Sequence, residues 1–183
     1  MENKAKVSVW KANLNAGIIL GLIGIIWNLI LWFLDLTTNN KVGLIFFVIL
    51  IVGLFFGIKT YRDKYLNGFI TYGQSLGAGV IIMLYFSVIS AVFTYILYKF
   101  IDPGLIDKML ALTEEQLVER GLGEGMINQS MEMQKKFMTP LVMSLSGIIS
   151  GLFMGTIFSL IISLFTKREG NPLIDDSNEK LEE

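Results

Sequence analysis

Apolar and polar residues alternate along this chain in long blocks. Four apolar runs cover residues 14–34, 42–58, 76–98 and 140–165, and none contains Asp, Glu, Lys or Arg. A helix without a polar face has nothing to turn toward water, so lipid is its natural solvent. Even the shortest run, 42–58, is about 26 Å long at roughly 1.5 Å per residue, enough to cross a bilayer with little tilt. The pattern predicts an all-α integral membrane protein with four transmembrane helices.

The polar blocks predict the rest of the organisation. We expect an N-terminal segment (1–13), a turn (35–41), a connector (59–75), a helical insertion (99–139) and a disordered tail (166–183). Asn67-Gly68 indicates a turn within the connector. The third span is expected to start at Gly73 or Leu76, because residues 69–76 fit either its first turns or a separate interfacial segment.

The insertion is predicted to hold three short helices. Asp102 is expected to cap the first, which Pro103 starts and which ends near Ala111. Thr113 and Gln116 form a capping-box pattern for the second, which Gly121 ends. The third helix covers residues 124–138. The insertion is expected to be helical only when docked on the outer ends of the spans, through the side chains Ile127, Met131, Phe137 and Met138.

Basic residues predict how the chain is threaded. One side of the membrane would receive Lys4, Lys6, Lys11, Lys59, Arg62, Lys64, Lys167 and Arg168. The opposite side would receive Lys41 and the five basic residues of the insertion. Lys and Arg in short loops favour the cytoplasmic side. We therefore expect both termini in the cytoplasm and the insertion outside.

Composition excludes several classes of function. The chain has no His and no Cys, which removes the commonest general base, the commonest metal ligand and all thiolate chemistry. Hydrophobic residues make up 53% of the chain and charged residues 17%, and the charges fall between the apolar runs. We expect no enzyme activity, no cofactor, no metal and no nucleic-acid partner. The methionines of the insertion lack accompanying His or Cys, so copper binding is disfavoured.

Small residues recur four apart in the apolar runs. Their positions are Gly147, Gly151, Gly155, Ser159 and Ser163 in the fourth run, Gly17 and Gly21 in the first, Gly53 and Gly57 in the second, and Gly73 and Gly77 at the third. Such spacing lets helix backbones approach closely in lipid. Packing inside a four-helix bundle is the favoured interpretation. The alternative is a homo-oligomer or a membrane-protein partner contacting the fourth span, whose stripe is longer than one neighbour requires.

Polar side chains offer two further candidates. Asn28 is expected to make an interhelical hydrogen bond rather than bind a ligand. Lys59, Arg62 and Lys64 could contact an anionic lipid headgroup, although fixing the topology would account for the same charges. The apolar runs contain no ionisable Asp, Glu, Lys or Arg, which argues against a proton relay or ion-coupled transport.

The chain resembles a family of bacterial inner-membrane proteins of unknown function, the forty-one ninety-nine family. The resemblance is carried by GIKTYRDKYLNGFITYGQSLGAG (57–79), IDPGLIDKMLALTEEQLVERG (101–121), MEMQKKFMTP (131–140) and the glycine-rich last run. It implies four spans with a helical insertion before the last, in a bacterial cytoplasmic membrane. It implies no activity, cofactor or catalytic residue. We expect a non-enzymatic scaffold or accessory subunit in the lipid bilayer. The alternative is small-molecule or lipid permeation or handling, by a single chain or by an oligomer.

Overall fold

The computed structural model describes residues 7–37 and 40–169, without the side chains at positions 40 and 41. Its helices are α1 (Val9–Phe33), α2 (Asn40–Tyr65), α3 (Tyr72–Ile96), α4 (Gly104–Glu119), α5 (Glu124–Phe137) and α6 (Pro140–Thr166), with a π-helical turn at Leu97–Ile101 after α3. Four of them, α1, α2, α3 and α6, are long and apolar enough to cross a membrane. The predicted all-α, four-span membrane protein is confirmed.

Helix α3 lies at the centre of the bundle. It packs along α6 and α1, and α2 makes lighter contacts with all three. Side chains of all four spans build one core, in which Leu54, Ile58 and Ile82 are fully buried. Many apolar side chains on the outer faces stay exposed, as a lipid solvent requires.

The spanning helices continue past the apolar runs that predicted them. Helix α2 extends through the charged residues to Tyr65, and α3 already begins at Tyr72. Thr71 caps α3 in a capping box with Gln74. The turn predicted at Asn67-Gly68 is confirmed, since both residues have positive φ, 53° and 86°. Polar residues beside the apolar runs are thus helical. Hydropathy alone therefore places the end of α2 too early and the start of α3 too late.

The insertion between α3 and α6 is an α4–α5 hairpin, and one of its predicted breaks is wrong. Helix α4 runs without interruption through Thr113, whose hydroxyl donates to the Met109 carbonyl at 2.9 Å instead of capping a new helix. Leu110 and Leu117, on either side of Thr113, pack against the same cluster on α5, which favours one continuous helix. The stop at Gly121 is confirmed, with φ 72°.

Among the described residues, two side-chain contacts join the insertion to the end of α1 and the turn just after it. The Asp102 carboxylate does not cap α4 as predicted; it accepts a hydrogen bond from the Trp32 indole nitrogen at 2.9 Å. Lys108 donates to the Asp35 carboxylate. The bundle therefore has a hairpin end, where α4 and α5 lie, and a connector end, where Ile70 pairs with Arg168 in an antiparallel backbone bridge.

The insertion meets the end of α1, but the side chains predicted for that docking are wrong. Ile127 and Met131 are buried, and Met138 is half-buried, in a cluster that α5 forms with Leu110 of α4, separate from the core of the spans. Phe137 is 63% exposed. The apolar face of α5 is buried against α4 and not against the spans, because the uninterrupted α4 provides a long apolar surface.

Candidate functional site

The small residues of α6 lie against α3 within one chain. A Cβ added at Gly155 would come within 2.5 Å of the Met83 Cβ, and one at Gly151 would overlap the Ser87 hydroxyl. Ser159 meets Gly79 in the same way, with its side chain where a Gly79 Cβ would sit. We call this contact the α3–α6 seam. Close backbone approach over small residues supplies van der Waals attraction that apolar burial cannot supply in lipid.

Gly147 departs from the stripe. A Cβ there would meet nothing within 4 Å, and Gly147, Ser146 and Ser150 are all exposed. Ser146 precedes Gly155 by nine residues, which places it about 180° around the helix at 3.6 residues per turn. By the same measure Ser150 lies about 140° and Gly147 about 80° from Gly155, so these exposed small residues extend from the edge of the α3-facing stripe to the opposite face. We call Ser146, Gly147 and Ser150 the α6 outer patch.

Of the other three predicted glycine pairs, two lie at contacts between helices and one faces open space. Gly17 and Gly21 of α1 face Tyr85 and Ile89 of α3, where an added Cβ would clash. Gly53 and Gly57 of α2 face Leu20 and Ala16 of α1. Nothing lies within 4 Å of a Cβ added at Gly73 or Gly77. Glycine spacing thus serves three helix pairs of the bundle.

Polar groups fasten the connector end. The Arg62 guanidinium donates to Asp63 at 2.7 Å and to the Thr166 carbonyl at 3.3 Å, which caps the last turn of α6. The Ser75 and Thr166 hydroxyls share a buried hydrogen bond of 2.7 Å. Sequence reasoning missed these pairs because they join residues 91 and 104 positions apart. No local pattern could have revealed them.

The three candidate headgroup residues are not brought together. Arg62 points to the end of α6, and Lys59 is exposed on another face of α2. Lys64 alone lines a groove of about 370 Å³ between α1 and α2. The groove lining comprises Ala12, Asn15, Ala16, Ile19, Leu20, Ile23, Gly53, Phe56, Gly57, Thr60, Lys64 and Tyr65. We call it the α1–α2 groove.

The two asparagine side chains Asn13 and Asn28 bond inside their own helix, α1. Asn28 donates to the Gly24 carbonyl at 2.9 Å, four residues back, so the expected interhelical bond is wrong. Sequence reasoning missed Asn13, which is fully buried and donates to the Val9 carbonyl at 2.9 Å. Its position beside Trp10 and Lys11, outside the first apolar run, gave no sign of burial.

Within residues 7–37 and 40–169, no group of three or more Asp, Glu, His or Cys side chains could hold a metal ion. The seam and the α6 outer patch offer close helix contact. The α1–α2 groove offers an apolar channel with polar groups at one end.

Residues 15–168 match the family described as a protein of unknown function (DUF4199). The match covers most of the chain, so the chain belongs to this family and the resemblance seen in its sequence is confirmed. No curated protein and no solved structure matches the chain.

Proposed function

We propose that this four-span member of the DUF4199 family is a non-enzymatic scaffold or accessory protein of the bacterial inner membrane. It assembles with itself or with another membrane protein through the hairpin-end half of α6. The observation that carries the proposal is the α6 outer patch, in which Ser146, Gly147 and Ser150 are all exposed and a Cβ added at Gly147 would meet none of the described residues.

The physical argument concerns which small residues remain available. Gly151, Gly155 and Ser159 are already covered by α3, so they cannot serve a second helix. A lipid-facing helix gains little from Gly or Ser, because both leave the neighbouring lipid chain with less side chain to contact. A partner helix can approach such a patch closely and can accept hydrogen bonds from its hydroxyls. The patch is therefore better explained by a helix than by lipid.

The test is to enlarge the patch and measure assembly separately from stability. Gly147→Ile should leave thermal unfolding in detergent nearly unchanged, since its side chain meets open space. It should lower the oligomeric mass, measured by light scattering, or release the partner protein that co-purifies with the wild type. Leu152→Ile, on another face, is the control. Assembly that survives Gly147→Ile and Ser150→Leu, or a wild-type chain that purifies as a monomer without a partner, would reject the proposal.

We further propose that both termini are cytoplasmic and that the α4–α5 hairpin faces outward. Support comes from the basic residues in the short loops and from the structure, in which the α2–α3 connector and the end of α6 lie together. Reporter fusions after Arg168 should act as cytoplasmic, and fusions at Gly121 as exported. A cytoplasmic reporter signal at Gly121 would contradict this threading.

Orientation can be tested without disturbing the connector end. Replacing Lys59 and Lys64 with Gln removes two positive charges while Arg62 keeps its bond to Thr166. We expect a mixed orientation of the reporter fusions, whereas Lys108→Gln in the hairpin should leave the orientation unchanged. An unaltered orientation in the double variant would show that the connector charges do not decide it.

Lipid handling is the second candidate function, and the α1–α2 groove favours it. Ile19 and Phe56 in its lining are each 57% exposed, so the groove opens sideways toward the bilayer. A volume of about 370 Å³ falls in the ordinary range for small-molecule sites. Molecules that dissolve in the bilayer can reach such a groove from the side, and lipids are the most abundant of them.

A further inference from the structure

We propose that the α1–α2 groove binds one phospholipid with an anionic headgroup, taken from the leaflet at the connector end. The phosphate would lie at Lys64 and one acyl chain would lie along the glycine-lined floor. This inference rests on the second candidate function and is independent of assembly through α6.

The groove is polar at one end and apolar along the rest of its length, as the binding of a phospholipid requires. Lys64, Tyr65 and Thr60 line one end, together with Asn15, and all four are exposed. The deeper lining consists of apolar or small residues, with Leu20 at 3% exposure. A phospholipid has the same sequence of groups, an ionic head followed by a hydrocarbon chain.

The length of the groove matches a single leaflet. Its lining on α1 runs from Ala12 to Ile23, or about 16 Å at roughly 1.5 Å per residue. The hydrocarbon core of a bilayer is about 30 Å thick, so one leaflet contributes about half of that. A chain entering beside Lys64 would therefore end near the bilayer midplane, where the groove ends.

Glycines shape the floor. At Gly53 an added Cβ would overlap the Leu20 side chain, and at Gly57 it would come within 3.3 Å of the Ala16 Cβ. The Leu20 side chain lies against Gly53, and the Ile82 Cδ1 would be 3.0 Å from a Cβ at Gly57, so the glycines let α1 and α2 lie close together below the groove. Larger side chains also line the groove, Ile19 from α1 and Phe56 from α2. The groove of about 370 Å³ lies along this close contact.

Charge selects the headgroup. In the part of the chain that the structure describes, Lys64 forms no ion pair, whereas Arg62 is held by Asp63 and the end of α6. Lys11 lies one turn before Asn15 and adds a second exposed positive charge at the same end. Each basic residue near a bilayer surface strengthens binding of anionic lipid by about fivefold.

The experiment compares two lipids with identical acyl chains on the full-length protein in detergent. Phosphatidylglycerol and phosphatidylcholine are titrated separately, and bound lipid is counted by native mass spectrometry. We expect wild type to bind one phosphatidylglycerol more tightly than phosphatidylcholine. Lys64→Gln should weaken the binding of phosphatidylglycerol about fivefold and leave the binding of phosphatidylcholine unchanged. Lys59→Gln, which removes the same charge from another face of α2, should change neither.

A second variant tests the groove itself. Thr60→Trp places a large ring over the exposed mouth without touching the core, and should reduce binding of both lipids. Equal effects of Lys64→Gln and Lys59→Gln, or equal affinity of wild type for both lipids, would overturn the headgroup assignment while lipid handling stands. Lipid binding that Thr60→Trp does not reduce would overturn both. Crosslinks from Thr60→Cys to a second copy would show that a helix occupies the groove instead.

Discussion

The α3–α6 seam and the α1–α2 contact both use glycines four residues apart, yet they pack differently. Along the seam, the groups opposite Gly155 and Gly151 are Cβ and hydroxyl groups held close to the α3 backbone. Opposite Gly53 lies the far end of the flexible Leu20 side chain, and beside it the α1–α2 groove stays open. Glycine spacing therefore marks a face that permits close approach. The residue opposite decides whether the approach becomes a sealed contact.

The largest effect should follow from Gly155→Ile, which breaks the seam at its tightest point. Its side chain would collide with Met83 near the α3 backbone, so the helices must separate. We expect a loss of about 3 kcal/mol in the free energy of unfolding, the upper range for overpacked cores. Thermal unfolding in detergent would measure it, with Leu152→Ile as the control. Equal stability of the two variants would mean that the seam is loosely packed.

A Gly→Ala substitution in each contact should have a smaller effect on stability, and the size of that effect should differ between the two contacts. Gly155→Ala should destabilise by about 1–2 kcal/mol, because Met83 cannot retreat. Gly53→Ala should be close to neutral, because Leu20 can rotate into the groove and Ala favours the helix by up to about 1 kcal/mol. Denaturant titration of both variants in the same detergent would compare them. A larger loss at Gly53 than at Gly155 would reverse the comparison.

The smallest effect concerns the hydrogen bond that closes the seam at the connector end. Ser75→Ala removes the 2.7 Å bond to Thr166, which keeps a second partner in the Ile162 carbonyl at 3.0 Å. Hydrogen bonds between membrane helices are worth about 0.6 kcal/mol, so we expect a loss of that order. A double-mutant cycle with Thr166→Val would isolate the pair. A coupling indistinguishable from zero would show that the bond adds nothing to the seam.

The four spans were predictable because a bilayer leaves helices little choice. Apolar runs without charge can only be buried in lipid or protein, and their length fixes what they can cross. The ends were less predictable, since Tyr65 and Tyr72 are helical although they lie outside the runs. Helix α4 was divided wrongly at Thr113 because a capping pattern is local, whereas burial of Leu110 and Leu117 against α5 is tertiary.

The candidate sites were predictable only as far as single helices allow. The spacing of Gly151 and Gly155 indicated a packing face but not that α3 would cover it. Lys59, Arg62 and Lys64 are close in sequence, yet helical rotation sends them to three different surroundings. The α1–α2 groove belongs to two helices at once. Its shape depends on how they cross, which no residue pattern within one helix determines.

The position of α6 at the end of the described chain bears on how the protein is made. The bond from Arg62 joins α2 to a carbonyl 104 residues later. At roughly 5–20 residues per second, a ribosome needs on the order of 5–20 s to cover that interval. For the later part of that interval, once α3 is complete, Ser75 and Ser87 lack the helix that later covers them. The newly inserted chain is therefore most vulnerable to quality-control proteases while α6 is still being synthesised.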